Sequence, residues 1–319
     1  MRLMSAPSEE TIRAALEMAR EAPLMNGTLP WLWWLDGASM HIRIEESQGP
    51  EVVDPAAHRT HMLGQGAALH HLRTALTAFG WSSAAVRLPD PLDANYLAVL
   101  HLAPCTANRD QISLAGAIFQ RQFQHNRFRP WAMPPNLIRS MSGSTAGTRA
   151  AARHVPDRLR RNLSNVYRTA ADRNTDYGEF LTGVAARIDQ RDLTAKPETQ
   201  TWASTRSLLA PAPDAADPFA DREPDAAELL ILCTPVDDSI SHLNAGEAAS
   251  SILLTAARNG LASSLLTQTM KVSEVRSGLR DTLLHECAYP HALIRLGRPD
   301  QSEPGNRYIQ ALPGMKAVA

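Results

Sequence analysis

Side chains able to do chemistry are scattered in this sequence. His70 and His71 sit side by side in a segment of helical spacing and invite a metal reading. Adjacent helix positions point about 100° apart, and no histidine or carboxylate four residues on completes a ligand set, so ordinary core and surface histidines are expected. Cys105, Cys233 and Cys287 are far apart, odd in number and without CxxC or Cys/His spacing, so neither a disulfide framework nor a zinc site is indicated. Buried thiols are the expectation. Trp31, Trp33 and Trp34 could wall a cofactor, although three aromatics in one strand usually fill a core. The 319-residue chain carries 32 Lys plus Arg against 33 Asp plus Glu, a net charge of −1. That balance creates no field to gather nucleic acid or an anionic membrane, and neither is an expected partner.

Regular elements must position whatever site exists. Ser8 reads as the N-cap of a first helix with apolar residues at Ile12, Ala15, Leu16 and Ala19, ending at Ala22-Pro23. Residues 31–35 and 40–44 flank Asp36-Gly37 as a β-hairpin. The apolar spacing from Leu63 to Phe79 predicts a long buried helix over 62–79, closed by Gly80. Strands around Val86 and over 96–102 and a helix over about 110–121 follow. Residues 196–227 hold Pro197, Pro211, Pro213, Pro218 and Pro224 among Ala, Asp and Thr, which suits a loop, lid or linker. Beyond them come a strand at 227–233, helices at 246–259 and 275–284, and a strand at 292–296. Glu9 and Glu10 interrupt any secretory signal and no 18-residue apolar run occurs, so a cytoplasmic location is expected.

At 319 residues the chain suits two units of about 150 each. Gly66–Gly80 and Gly246–Gly260 have the same length and superpose at one constant offset, with Gly66 on Gly246, Ala68 on Ala248, Leu72 on Ile252 and Gly80 on Gly260. The strand-like runs from Tyr96 and His291 follow at similar distances. Duplication is the favoured explanation.

The phrases GQGAALHHLRTALTAFGW at 64–81, RLPDP at 87–91, AIFQR at 117–121, AGEAASSILLTAARNGLA at 245–262 and PHALIRLGRP at 290–299 resemble the Acg family of nitroreductase-like proteins. The resemblance covers roughly 9–130 and 228–310. It implies an α+β, three-layer α-β-α nitroreductase fold in two fused copies that form a pseudo-dimer. It also implies one FMN at the seam, a restricting lid, and NAD(P)H-dependent reduction of nitroaromatic or quinone-like acceptors. The cofactor would carry the reaction, with no acid-base side chain implied.

Three stretches of the family pattern map onto this chain. Residues 22–31 keep the prolines and Trp31 of an APSxHNxQPW stretch but have Leu24, Gly27 and Leu29 for its serine, asparagine and glutamine, with Asn26 one position early. Residues 121–128 keep Arg121 and Phe128 of RRTDRxxF, with Gln122 and His125 replacing arginines and Arg127 displaced. Leu265-Leu266-Thr267-Gln268 resembles the segment along the flavin ring, and Asn306-Arg307 retains one member of a terminal arginine pair. The resemblance therefore implies Trp31, Arg121, Gln122, His125, Thr267, Gln268 and Arg307 as cofactor-binding residues, with Arg121 and Arg307 toward phosphate or ribityl. It divides the chain into a first half at 1–130, a divergent helical segment with a Pro-rich lid or linker at 131–227, and the rest of the second half at 228–319. Fusion of the halves makes a monomer the expected state. The departures at Leu24, Gly27, Leu29, Gln122 and His125 leave a second expectation open: a flavin sequestered with poor turnover, or a flavin-free, non-enzymatic pseudo-dimer with a stress or dormancy-associated role in interaction or regulation.

Overall fold

The computed structural model describes residues 6–24, 30–45, 54–121, 128–145, 147–173, 178–189 and 226–298. Helix α1 (Glu9–Arg20) starts as the sequence predicts, with the Ser8 hydroxyl accepting from the Thr11 amide. Strands β1 (Trp31–Asp36) and β2 (Ser39–Ile44) form the expected antiparallel hairpin. Helix α2 (Pro55–Ala78) begins earlier than its apolar spacing implies, because Asp54 caps Ala56 and Ala57 and Pro55 preorganises the first turn. Strands β3 (Trp81–Arg87) and β4 (Tyr96–Pro104) precede α3 (Arg109–Gln120), which opens on an Asn108/Gln111 capping box. The middle of the chain supplies α4 (Pro135–Gly143), β5 (Ala151–His154), α5 (Asp157–Arg173) and α6 (Gly178–Asp189).

Strand β6 (Glu228–Thr234) is buried throughout and leads into α7 (Ser239–Arg258), capped by Asp238. Next come β7 (Ala262–Leu266), a 3-10 turn (Gln268–Lys271), α8 (Ser273–Leu284) and β8 (Tyr289–Gly297). The short strand β7 escapes sequence patterning because all five of its residues are buried, which erases the alternation that marks a strand.

Two four-stranded antiparallel sheets result, with orders β1-β2-β4-β3 and β5-β6-β8-β7. Each strand of the first has its twin four labels on. Registers agree as well: Met40 faces Leu100 and Leu100 flanks Ala85, while Leu230 faces Ile294 and Ile294 flanks Leu265. Even the irregularity repeats, lying between Ile42 and Arg43 in β2 and between Leu232 and Cys233 in β6.

The long helices α2 and α7 form the seam. A Cβ on Gly66 would stand 2.0 Å from the carbonyl oxygen of Leu243, and one on Gly246 would stand 2.0 Å from that of Leu63. Only glycine permits so close a backbone approach. Leu63 and Leu243 are twins under the offset that relates the two glycines, and they exchange cores: Leu243 packs into the first-half core and Leu63 into the second. Reciprocal contacts of this kind are what a pseudo-twofold axis requires. The fold is thus an α+β pseudo-dimer of two halves in one chain.

The halves differ in their outer layer. Helices α5 and α8 cover Leu229, Ile231 and Cys233 of the second sheet. The matching face of the first sheet leaves Leu32, Trp34 and Val86 exposed, with Trp34, His41 and Tyr96 stacked on one another. Among the described residues no helix is long and apolar enough to cross a membrane. The thiols are not uniformly buried as expected: Cys233 is, Cys105 is half-buried, and Cys287 is exposed because it follows the left-handed turn that ends α8.

Candidate functional site

The seam gathers polar groups that periodicity alone would assign to packing. Ser250, on α7, meets both neighbouring histidines of α2, its hydroxyl 2.8 Å from His70 Nδ1 and 2.8 Å from His71 Nδ1. His71 Nδ1 is also 3.1 Å from the Ala67 carbonyl, which can only accept, so this nitrogen bears the proton. Ser250 therefore accepts from His71, which leaves its own proton free for His70. The consequence is a bare lone pair on His71 Nε2, shut off from water and without a partner among the described residues. Burial, the charge of Arg121 and the neighbouring His70 push the His71 pKa well below its usual value. Burial pushes His70 down to about 4, with Glu247 opposing the shift and Arg73 adding to it.

Arg121 sits where α3 ends and gives a 3.2 Å hydrogen bond from Nη2 to the Glu21 carbonyl, tying α3 to the end of α1. Its side chain is half-buried, yet its Nε is sealed from water and unpartnered among the described residues. Burial lowers its pKa and Glu21 opposes the shift, as expected of a cation with too little negative charge around it.

Trp31 belongs to the first-half core and gives its indole N–H to Gln65, whose amide nitrogen is 3.1 Å from His61 Nε2. Thr267 is buried just beyond β7, its hydroxyl without a partner among the described residues, as is that of Ser264. Gln268 is half-buried at the start of the 3-10 turn. Gln122, His125 and Arg307 lie outside the described residues, as do Asn26, Gly27, Leu29, Arg127 and Asn306. Leu24 adopts a left-handed backbone, φ 69°, and packs on the second-half core.

The seam has two corners, and they are unlike. In one, Glu247 is 1% exposed and takes Arg73 Nη1 at 2.9 Å and Arg87 Nε and Nη2 at 2.5 and 2.8 Å. The offset between the halves carries Glu247 back onto Ala67, Arg73 onto Leu253 and Arg87 onto Thr267. The corner of Thr267, Ala67 and Leu253 thus lacks the ionic plug that fills its twin, and His71 and Arg121 bring their unmatched nitrogens to the same seam.

No family model matches the sequence. A Mycobacterium tuberculosis protein named as an inferred NAD(P)H nitroreductase, Rv3131, is 31% identical over 309 residues, covering 93% of this chain and 88% of its own. The chain belongs to this nitroreductase family. Acg of the same organism, also named as an inferred NAD(P)H nitroreductase, is 28% identical over 313 residues, 92% of this chain and 91% of its own. Distant structural likeness extends to a Bacteroides fragilis nitroreductase with bound FMN, at TM-score 0.42 and 13% identity over 65% of this chain and 98% of that one. The family relation accords with the duplicated sheets, since this family was the one whose phrases the sequence resembles.

Family phrases drew attention to Arg121, Thr267 and Gln268, whereas sequence reasoning set His71 aside and did not single out Ser250. Nothing local marks either residue. The offset that places position 250 against 70 was the available signal.

Proposed function

We propose that this nitroreductase-family chain binds one FMN in the seam and uses it for NAD(P)H-dependent reduction of nitroaromatic or quinone-like acceptors. The supporting observation is the pair of sealed, unmatched nitrogens: Arg121 Nε offers a proton and His71 Nε2 offers a lone pair. Buried polar atoms in native proteins rarely go unpaired. A ribityl hydroxyl, which both donates and accepts, suits that pair, and a phosphate would offset the under-compensated charge of Arg121. The residues present therefore fit the cofactor.

When bound, FMN would supply hydride transfer between the nicotinamide and the acceptor. Arg121 would hold anionic or hydroxyl oxygens, His71 would accept from a hydroxyl, and Thr267 would offer its free hydroxyl near the ring edge. The Ala67 carbonyl fixes the His71 tautomer and Ser250 accepts from the same N–H, so that the lone pair and not a proton faces the ligand. Gln122, His125 and Arg307 complete the phosphate side in this reading, and Gln268 lines the ring side. Trp31 acts as a wall whose N–H is already given to Gln65. The Arg73–Glu247–Arg87 plug restricts binding to one site per chain.

Residues 1–130 form the first half and 228–319 the rest of the second, with 131–227 contributing α4 to α6, β5 and the lid or linker. A cytoplasmic monomer is the state this reading entails. The second reading, a flavin-free pseudo-dimer with a role in stress or dormancy, draws support from the Arg121 contact to the Glu21 carbonyl, a partner the chain supplies itself. Purified protein separates the two. Visible flavin absorbance retained through desalting, or regained on adding FMN, supports the first reading; a colourless protein that ignores added FMN overturns it.

A further inference from the structure

A second polar cluster lies away from Arg121 and His71, where β6 ends, α7 begins and β8 starts. One ligand atom from each of Asp237, His242 and His291 lies within 4.8 Å of the others. Both histidines are buried, at 5% and 2% exposure, and Asp237 forms the solvent-facing rim.

The hydrogen-bond pattern settles which ring nitrogens are available. Thr234 Oγ1 is 2.6 Å from the Val236 carbonyl, which can only accept, so the single hydroxyl proton points there. His291 Nε2, 2.6 Å from the same hydroxyl, must then be its donor. His242 Nε2 is 2.8 Å from Asp237 Oδ1, and that carboxylate is gripped by Arg276 at 2.7 and 2.6 Å. A carboxylate bound in this way accepts, so His242 donates from Nε2. Both imidazoles are thereby left with a bare lone pair on Nδ1, and both Nδ1 atoms are sealed from water with no partner among the described residues.

We infer that His242 and His291 form a binding site for a borderline transition-metal dication of the zinc type, with Nδ1 of each as ligands. Thr234 and Asp237 are positioning residues that fix the two tautomers by accepting the opposite N–H, the arrangement metal-ligating histidines normally have. Spacing agrees. An imidazole bound at 2.0–2.1 Å puts its centroid roughly 3.2 Å from the metal. The observed centroid separation of 5.3 Å lies within the roughly 6.4 Å that two imidazoles on one metal can span. Two coordination positions remain for further ligands. His58, 6.4 Å from the His242 ring, sits beside the cluster but is committed to Ser239.

This site is independent of the flavin reading, and sequence patterning did not point to it because its residues come from three elements. Its twin positions in the first half carry no counterpart: the offset places Met62 opposite His242.

The test uses untagged, chelator-treated full-length protein. Cobalt titration should give saturable visible bands of tetrahedral character at one equivalent, bleached by one equivalent of Zn2+, and Zn2+ should raise the Tm. His242→Gln and His291→Gln, each confirmed folded by circular dichroism, should abolish the bands. Asp237→Asn, which keeps an acceptor but drops the charge, should weaken cobalt binding about tenfold or more. Absence of saturable cobalt bands in the wild-type protein overturns the inference, whether or not any variant folds. Bands that survive in either folded glutamine variant overturn it too.

Discussion

Acidification should destabilise the seam, and His70 sets the size of its share of the loss. Its pKa, pushed down to about 4 mainly by burial, compares with 6.5 for an exposed histidine. The unfolded chain therefore takes up this proton first, so stability is full above pH 6.5 and falls as the pH drops toward 4, below which the loss is complete. Linkage over that window gives a loss of about 2 kcal/mol by pH 5 and about 3 kcal/mol by pH 4 from His70 alone. His71 shifts in the same direction and adds to it. The charges facing the pair, Arg73 and Arg121 against Glu247, are cationic in excess and make protonation harder still. Urea denaturation of the wild type and of His70→Asn at pH 7.5 and 5 measures the term, because asparagine keeps an acceptor for the Ser250 hydroxyl and cannot titrate. By the same linkage the variant should lose about 2 kcal/mol less than the wild type over that interval. Parallel losses in the two proteins would refute the assignment of His70 as a neutral, half-buried partner of Ser250.

Further tests address the packing and the corners of the seam. Gly66→Ala and Gly246→Ala should each cost about 3 kcal/mol or more, since the added Cβ must displace a backbone carbonyl and not a flexible side chain. Similar falls in Tm are expected from the two variants, and an unchanged Tm in either would contradict the reciprocal contact. Glu247→Gln should destabilise by about 3–5 kcal/mol, because Arg73 and Arg87 lose a shared buried counter-ion. A loss below about 1 kcal/mol in urea denaturation would show the three to be solvated independently. Arg121→Met should weaken FMN binding about tenfold or more, the usual size of a hydrogen bond to a charged group, while leaving the urea midpoint of the flavin-free protein near that of the wild type. Unaltered FMN affinity, measured by quenching of flavin fluorescence, would remove Arg121 from the site.

Much of the architecture was legible because it is local. The Ser8 cap, the Asp36-Gly37 hairpin and the glycines that close α2 and α7 each announce themselves within a few residues. The duplication was legible too, since a constant offset between matching segments is a property of the string. What escaped were consequences of contact across the seam. The starts of α2 and α7 were placed too late because capping by Asp54 and Asp238, not apolar spacing, begins those helices. His71 read as an ordinary core histidine because the Ala67 carbonyl one turn back, which fixes its proton, and Ser250 from the other half, which shares it, leave no mark in the local sequence. Arg73 and Arg87 drew no attention because their partner is 174 and 160 residues away. The phosphate-side residues Gln122, His125 and Arg307 lie outside the described residues, so their reading still rests on family phrases alone.

Fusion explains why the two corners could come to differ. In a symmetric homodimer every substitution appears twice, so a carboxylate that plugs one corner plugs both. Within one chain, position 247 can be glutamate while its twin, position 67, stays alanine, and the same holds for Arg73 against Leu253 and Arg87 against Thr267. The plug needs all three changes together, because a buried carboxylate without its arginines is strongly destabilising. Its gain is rigidity where Glu247 ties α7 to α2 and β3, which holds the helix pair that presents His71 and Ser250. The unplugged corner is left with the core residues Ala67 and Leu253 and a buried Thr267 hydroxyl that has no partner among the described residues. Fusion has thus let the two corners of one seam diverge, which a symmetric homodimer cannot do.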